Sequence, residues 1–154
     1  MAKEIERKFL LTKGASIPIP AEHYKLRIKQ GYIHVEKDKQ VRIRVYKNKG
    51  VICLKYGKGK IRDEFEYEIP LKDAKEIYDK CKWRLEKKRL SFNKDGENYD
   101  IDSFPNGMVF VDVEFKSMKA MKKWKKPSWI GKEISNNPKY SNIRLAKKIL
   151  TFLS

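Results

Sequence analysis

The sequence predicts a mainly β, α+β fold: an antiparallel barrel or strongly curved sheet of about eight strands, with helices packed around it. Three observations carry this. About eight segments alternate apolar and charged residues with a period of two, as a strand with two unlike faces does. Turn signals of hairpin length join most of them. Helical spacing is confined to a few short stretches. With 154 residues and 40% hydrophobic content, the chain is long and apolar enough to be read as one domain, 1–154.

Residues 3 to 12 form the first predicted strand. Glu4, Glu6 and Lys8 fall two apart and share a face, while Ile5, Phe9 and Leu11 take the other with Arg7 as the exception. Two carboxylates on one strand face are a start on a hard-cation site, because Mg²⁺ and Mn²⁺ prefer oxygen ligands. A polar face turned to water accounts for the same pattern. Pro18 and Pro20 mark a loop, and 24–35 reads as the second strand, carrying Gln30-Gly31-Tyr32. In 40–47, Val41, Ile43 and Val45 oppose Arg42 and Arg44; Asn48-Lys49-Gly50 is the expected turn. The strand 51–56 ends near Lys55. Gly57-Lys58-Gly59-Lys60 reads as a hairpin turn, since it lacks the spacing and the Ser/Thr of a phosphate-binding loop.

In 61–69, Arg62, Glu64, Glu66 and Glu68 oppose Phe65, Tyr67 and Ile69, and Pro70 ends the strand. The period then changes. Leu71, Ala74, Ile77, Tyr78 and Cys81 form one apolar helical stripe. The sixth strand, 83–92, carries Lys87 and Arg89. The seventh includes Tyr99-Asp100-Ile101-Asp102, and the eighth, 108–115, sets Asp112 and Glu114 against Val109, Val111, Val113 and Phe115. Lys94-Asp95-Gly96 and Asn106-Gly107 are turns. A lysine-rich helix is expected over 117–124 and a terminal one from about Ser141, with Ile143, Ala146, Leu150 and Leu153 in its stripe.

Alternation leaves open which face is inside. The helical stripes need apolar partners. If the helices pack outside a barrel, its outer wall is apolar and its lumen charged. That lumen would hold seven cations (Lys8, Arg42, Arg44, Lys55, Arg62, Lys87, Arg89) and seven carboxylates (Glu4, Glu6, Glu64, Glu66, Asp102, Asp112, Glu114). Enclosing unmatched charge costs several kcal/mol per ion. A divalent metal held by the carboxylates and a polyphosphate held by the cations would answer both sets.

The net charge of +17 calls for a polyanionic partner: nucleic acid, an anionic membrane or a phosphorylated small molecule. Lys122, Lys123, Lys125 and Lys126 read as solvated surface. A nucleic-acid-binding barrel would need exposed cations interleaved with aromatics, and the pairs Glu4/Glu6, Glu64/Glu66 and Asp112/Glu114 oppose it. Trp83, Trp124 and Trp129 read as packing residues, and His23 and His34 as surface or loop residues. Cys53 and Cys81 have no metal-ligand spacing and form no disulfide framework. No apolar leader opens the chain and no apolar run approaches the ~20 residues of a membrane span. A cytoplasmic protein with no membrane partner is expected.

The ordered set of motifs resembles the CYTH, or triphosphate tunnel metalloenzyme, family in its short bacterial form. Glu4-Ile5-Glu6-Arg7-Lys8-Phe9-Leu10 is similar to that family's ExExK signature. The resemblance continues through Gln30-Gly31-Tyr32, Val41-Arg42-Ile43-Arg44, Leu54-Lys55, Arg62 to Pro70, Glu86-Lys87-Lys88-Arg89 and Tyr99 to Phe104. It closes with Val111 to Phe115 and with Pro127 to Glu133, Tyr140 and Asn142. Cys53 replaces a usual threonine, and Asp112 stands where a glutamate is usual. The resemblance implies an eight-stranded antiparallel tunnel with a charged lumen, Mg²⁺ or Mn²⁺, and hydrolysis of a triphosphate. Tripolyphosphate is the first expectation; thiamine triphosphate, or a nucleoside triphosphate cyclised as by a class IV adenylate cyclase, are the alternatives. No purine or thiamine pocket is legible in the sequence. On this reading Glu4, Glu6 and Glu114, supported by Asp112, are the metal ligands. Arg42, Arg44, Lys55, Arg62, Lys87 and Arg89 bind phosphate. Lys8 positions or deprotonates water, with Tyr32 as its partner; deprotonation would need a depressed ammonium pKa, which Glu4 and Glu6 oppose. A homodimer is a further expectation.

Overall fold

The computed structural model describes residues 2–58 and 60–153, with residue 2 and residues 148–153 described through their backbone alone. Gly59 of the expected turn Gly57-Lys58-Gly59-Lys60 and the side chains of Leu150 and Leu153 thus lie outside the described residues. The elements in order are β1 (Ala2–Leu11), β2 (Tyr24–Val35), β3 (Lys39–Tyr46), β4 (Lys49–Tyr56), β5 (Ile61–Ile69), α1 (Leu71–Lys80), β6 (Trp83–Lys94), β7 (Glu97–Ser103), β8 (Val109–Glu114), α2 (Met118–Lys123), β9 (Ile130–Glu133), a 3₁₀ turn (Pro138–Tyr140) and α3 (Asn142–Leu153).

All pairings are antiparallel, in the order β5-β4-β3-β2-β6-β7-β8-β1-β9. A further β1–β5 pairing closes the first eight strands into a barrel. β1 achieves closure by dividing one edge: Ala2 to Ile5 pair with β5, while Phe9 and Leu11 meet β9. Its other edge pairs β8 from Glu6 to Leu10.

The short β9 was not among the expected strands. Four residues with Gly131 at the second place show no alternation to read. The turn after β3 is also displaced from the expected Asn48-Lys49-Gly50. Lys47 and Asn48 take the left-handed conformation, and Gly50 lies within β4. Gly50 serves packing instead, since a Cβ there would sit 2.3 Å from that of Ala74 on α1.

The apolar core lies mostly outside the barrel wall. Phe9, Ile101, Val111 and Val113 face outward under Met121, Trp129 and Ile130. Ile43, on β3, packs against Ala74 of α1 and against Cys81. Trp124 packs on the first group and donates from Nε1 to the Tyr99 hydroxyl (3.0 Å). A third cluster fills one end of the lumen. Tyr32, Leu85, Phe104 and Phe110 share strand faces with lumen charges, and Leu145 and Ala146 of α3 cover them. So α3 stops one end of the barrel, and only Ile143 and Ala146 of its expected stripe have described side chains there.

Candidate active site

The cross-strand register sorts the lumen by charge. β7, β8 and β1 contribute Asp100 and Asp102, Asp112 and Glu114, and Glu4 and Glu6, with Lys8 as the cation among them. β6, β3 and β4 contribute Lys87 and Arg89, Arg42 and Arg44, and Lys55, with Gln30 of β2 between. β5 is mixed, with Arg62, Glu64 and Glu66. The two sectors face each other across a cavity of about 530 Å³. Every residue expected to bind phosphate or metal lines it, as do Lys8, Glu64 and Glu66. Cations and carboxylates are near balance here, so the excess of +17 is carried outside the tunnel.

Asp102 and Tyr32 are not among the residues that line this cavity. Asp102 lies beneath the lining, 2% exposed, where Arg89 donates to it from Nε (2.8 Å) and Nη2 (2.9 Å) and Lys87 Nζ is 2.8 Å away. Burial opposes its charge, but Lys87 and Arg89 outweigh burial and hold the carboxyl far below the usual range. Tyr32 belongs to the apolar end. Its hydroxyl accepts from Gln30 Nε2 (2.6 Å), and Gln30 Oε1 accepts from Arg44 Nη2 (3.1 Å). Burial pushes the Tyr32 hydroxyl up to about 12. Lys8 Nζ lies 4.0 Å from Asp112 and 5.7 Å from the ring centre of Phe110, a member of the same cluster as Tyr32. Asp100, not among the expected lumen carboxylates, also lines the cavity; its spacing of two from Asp102 is the signal that marks it. It accepts from Ser91 Oγ (2.6 Å) and pairs with Arg89 (3.3 Å). Asn142 at the start of α3 also lines the cavity, with a buried Oδ1 that has no hydrogen-bond partner.

Each sector crowds like charge. Glu6 stands directly opposite Glu114 and Asp100 directly opposite Asp112, pairings that destabilise a sheet. Arg62 answers Glu6 (2.9 Å) and Lys55 answers Glu4 (2.9 Å). Glu114 has no ion pair among the described residues. Glu114 is an exposed residue, yet partial desolvation at the tunnel wall, then Glu4 and Glu6, push its carboxyl up to about 7. Burial likewise pushes Asp112 up to about 6 against the pull of Lys8, and its Oδ1 is buried without a hydrogen bond. On the other side, burial, then Arg42 and Arg89, lower Arg44 to about 10. Burial and then Arg42 lower Lys55. The Nε atoms of Arg42 and Arg44 are buried without acceptors.

In donor type these sets suit a hard divalent cation on the acidic side and an anion opposite it, although no three of Glu4, Glu6, Asp112 and Glu114 bring ligand atoms within 4.8 Å of one another. Among the described residues it is Cys53, Glu64 and Glu66 that do so. Burial raises the Cys53 thiol, and Arg42 adjoins it, so this group suits a hard cation less well than the all-oxygen set.

The raised carboxyls set a pH dependence. Asp112 and Glu114 bind protons more tightly folded than unfolded, so their contribution to stability is lost as pH rises through about 6 to 7. The melting temperature of the chelator-treated protein is therefore expected to fall between pH 5 and pH 8 for these groups. Asp112→Asn with Glu114→Gln should flatten that slope. An unchanged slope in the double variant would refute the assignment.

Fold and site together define a charge-sorted tunnel protein, a closed antiparallel barrel with its core on the outside and its ionic groups within. The chain belongs to the CYTH domain family, whose profile matches residues 2–148. It is 37% identical over 153 residues to the inorganic triphosphatase of Acetivibrio thermocellus, covering 96% of this chain and 95% of that one. It is 31% identical over 152 residues to that of Nitrosomonas europaea, covering 95% and 98%. Among solved structures, it is similar to a crystal structure of an inorganic triphosphatase, with a TM-score of 0.67, 30% identity and 95% of each chain covered. A Pyrococcus horikoshii protein, 18% identical over 77% of this chain and 84% of that one, shares the fold with a TM-score of 0.60. No helix among the described residues is long and apolar enough to cross a membrane.

Proposed function

We propose that this chain is a Mg²⁺- or Mn²⁺-dependent triphosphatase that hydrolyses tripolyphosphate to pyrophosphate and phosphate. The observation that carries the reading is the facing pair of sectors, each crowded with like charge and each complementary to one half of a metal–polyphosphate complex. The names of the two similar inorganic triphosphatases agree with it.

Arg42, Arg44, Lys55, Arg62, Lys87 and Arg89 bind phosphate oxygens, the arginines through their planar forks. Asp102 holds Lys87 and Arg89 in place for this. Glu4, Glu6 and Glu114, with Asp112 in support, would hold the cation, which when bound supplies charge neutralisation and Lewis acidity. Lys8, set within the acidic sector, orients the attacking water. Phosphoryl transfer depends mainly on such positioning and charge stabilisation.

One observation keeps an organic triphosphate as the second reading. A neighbouring cavity of about 770 Å³ shares Glu6, Lys8, Arg62 and Ser141 with the tunnel and adds Ile134, Pro138 and Tyr140. Phosphate release from tripolyphosphate, ATP and thiamine triphosphate, with Mg²⁺ or Mn²⁺, separates the two. Metal-dependent release fastest from tripolyphosphate supports the first reading. Preference for an organic triphosphate supports the second, and cyclic AMP would mark a cyclase. No metal-dependent turnover of any of the three would overturn both.

A further inference from the structure

Lys8 lies where β1 changes partners. β5 ends its pairing with the bond from the Glu6 N–H to the Lys60 carbonyl (3.1 Å). β9 begins its pairing just after, with the Ile134 N–H donating to the Lys8 carbonyl (2.8 Å). Between the two strands, the Lys8 N–H meets a side chain instead of a backbone carbonyl: it donates to Ser135 Oγ at 2.8 Å. The Ser135 hydroxyl in turn donates to Glu133 Oε2 at 2.7 Å, with the Lys8 carbonyl a longer alternative at 3.4 Å.

Glu133 is itself clamped. Arg7 donates to both its oxygens, from Nε (3.0 Å) and Nη2 (2.6 Å), and Lys60 Nζ approaches at 3.8 Å. The Arg7 guanidinium lies over the rings of Phe9 (5.2 Å) and Trp124 (5.4 Å). Arg7 and Lys8 are neighbours on opposite faces of the wall. The outward residue therefore anchors a chain of bonds that ends on the backbone of the inward one. The Lys8 side chain has weak guidance of its own, its ion pair with Asp112 spanning 4.0 Å. Its position in the lumen is set largely by its peptide.

We propose that Ser135 and Glu133 are positioning residues for Lys8, acting through its backbone and not through contact with substrate. The proposal rests on the reading of Lys8 as a participant in hydrolysis. Misplacing a reacting group slightly lowers turnover more than binding. Ser135→Ala is expected to lower kcat for tripolyphosphate about tenfold while changing KM less than about twofold. Ser135→Thr, which keeps the hydroxyl, should restore kcat. In a Lys8→Ala background, Ser135→Ala should add no further loss, because residues acting as one unit are not additive. Independently of activity, the Lys8 amide should exchange with solvent faster in Ser135→Ala, with the neighbouring β1–β8 amides unchanged.

Additive losses in the double variant, or a loss confined to KM, would overturn the positioning role. Unchanged exchange at Lys8 would overturn the clamp itself. Full turnover by Lys8→Ala would instead overturn the role given to Lys8, and the amide-exchange comparison would still report on the clamp.

Discussion

Glu114→Gln is expected to lower tripolyphosphate turnover by about 10²-fold or more, the scale of losing one preorganised charge-stabilising group, while making the metal-free protein more stable. Glu114 faces Glu6 directly and lacks an ion pair among the described residues, and its carboxyl is pushed up to about 7. Like charges opposed across strands destabilise by roughly 0.2–1 kcal/mol. Relief of that repulsion would raise the melting temperature at pH 8 by up to about 2–4 °C for a chain of this length. Both effects are needed, because together they show a charge kept for chemistry at the expense of stability. Turnover assays beside thermal melts in chelator would measure them. A variant that is less stable, or that keeps full turnover, would remove Glu114 from the proposed cation site.

Asp102→Ala is expected to produce the largest loss of stability. Asp102 is 2% exposed and holds Lys87 and Arg89 at 2.8–2.9 Å. Removing it leaves Lys87, whose ammonium burial already lowers to about 7, facing Arg44 without its carboxylate, while Arg89 keeps only Asp100 at 3.3 Å. Breaking a buried ion pair from one side costs about 3–5 kcal/mol, or a fall on the order of 10 °C in melting temperature. Tripolyphosphate should restore part of that loss, because an anion in the lumen supplies the missing charge. A melting temperature within about 2 °C of the unaltered protein would show that Asp102 is not the counter-ion for this sector. No recovery with tripolyphosphate would argue that Lys87 and Arg89 do not face the ligand.

Much of the barrel was legible because alternation is a local property. β2 and β5 run over the expected residues, and α1 stops within one residue of its expected end. Pro70 explains the break between β5 and α1, since proline disfavours the strand ladder and suits a helix start. Elements with weak local patterns were misread. β9 is too short to alternate, and Gly50 carries a turn signal in sequence but admits Ala74 in the fold. Arg7, an exception to its strand's apolar face, has its explanation in Glu133, 126 residues away.

By itself, the sequence determined which side chains share a strand face and that the charged faces carry both signs in similar number. The period of two follows from backbone geometry and needs no knowledge of neighbours. Tertiary structure alone decided which charges meet. It opposed Glu6 to Glu114 and Asp100 to Asp112, drew Asp102 beneath the lining, gave α3 to the end of the lumen, and brought Ser135 to the Lys8 peptide. Those outcomes depend on register between strands far apart in the chain. A shift of one residue would turn each side chain to the other face.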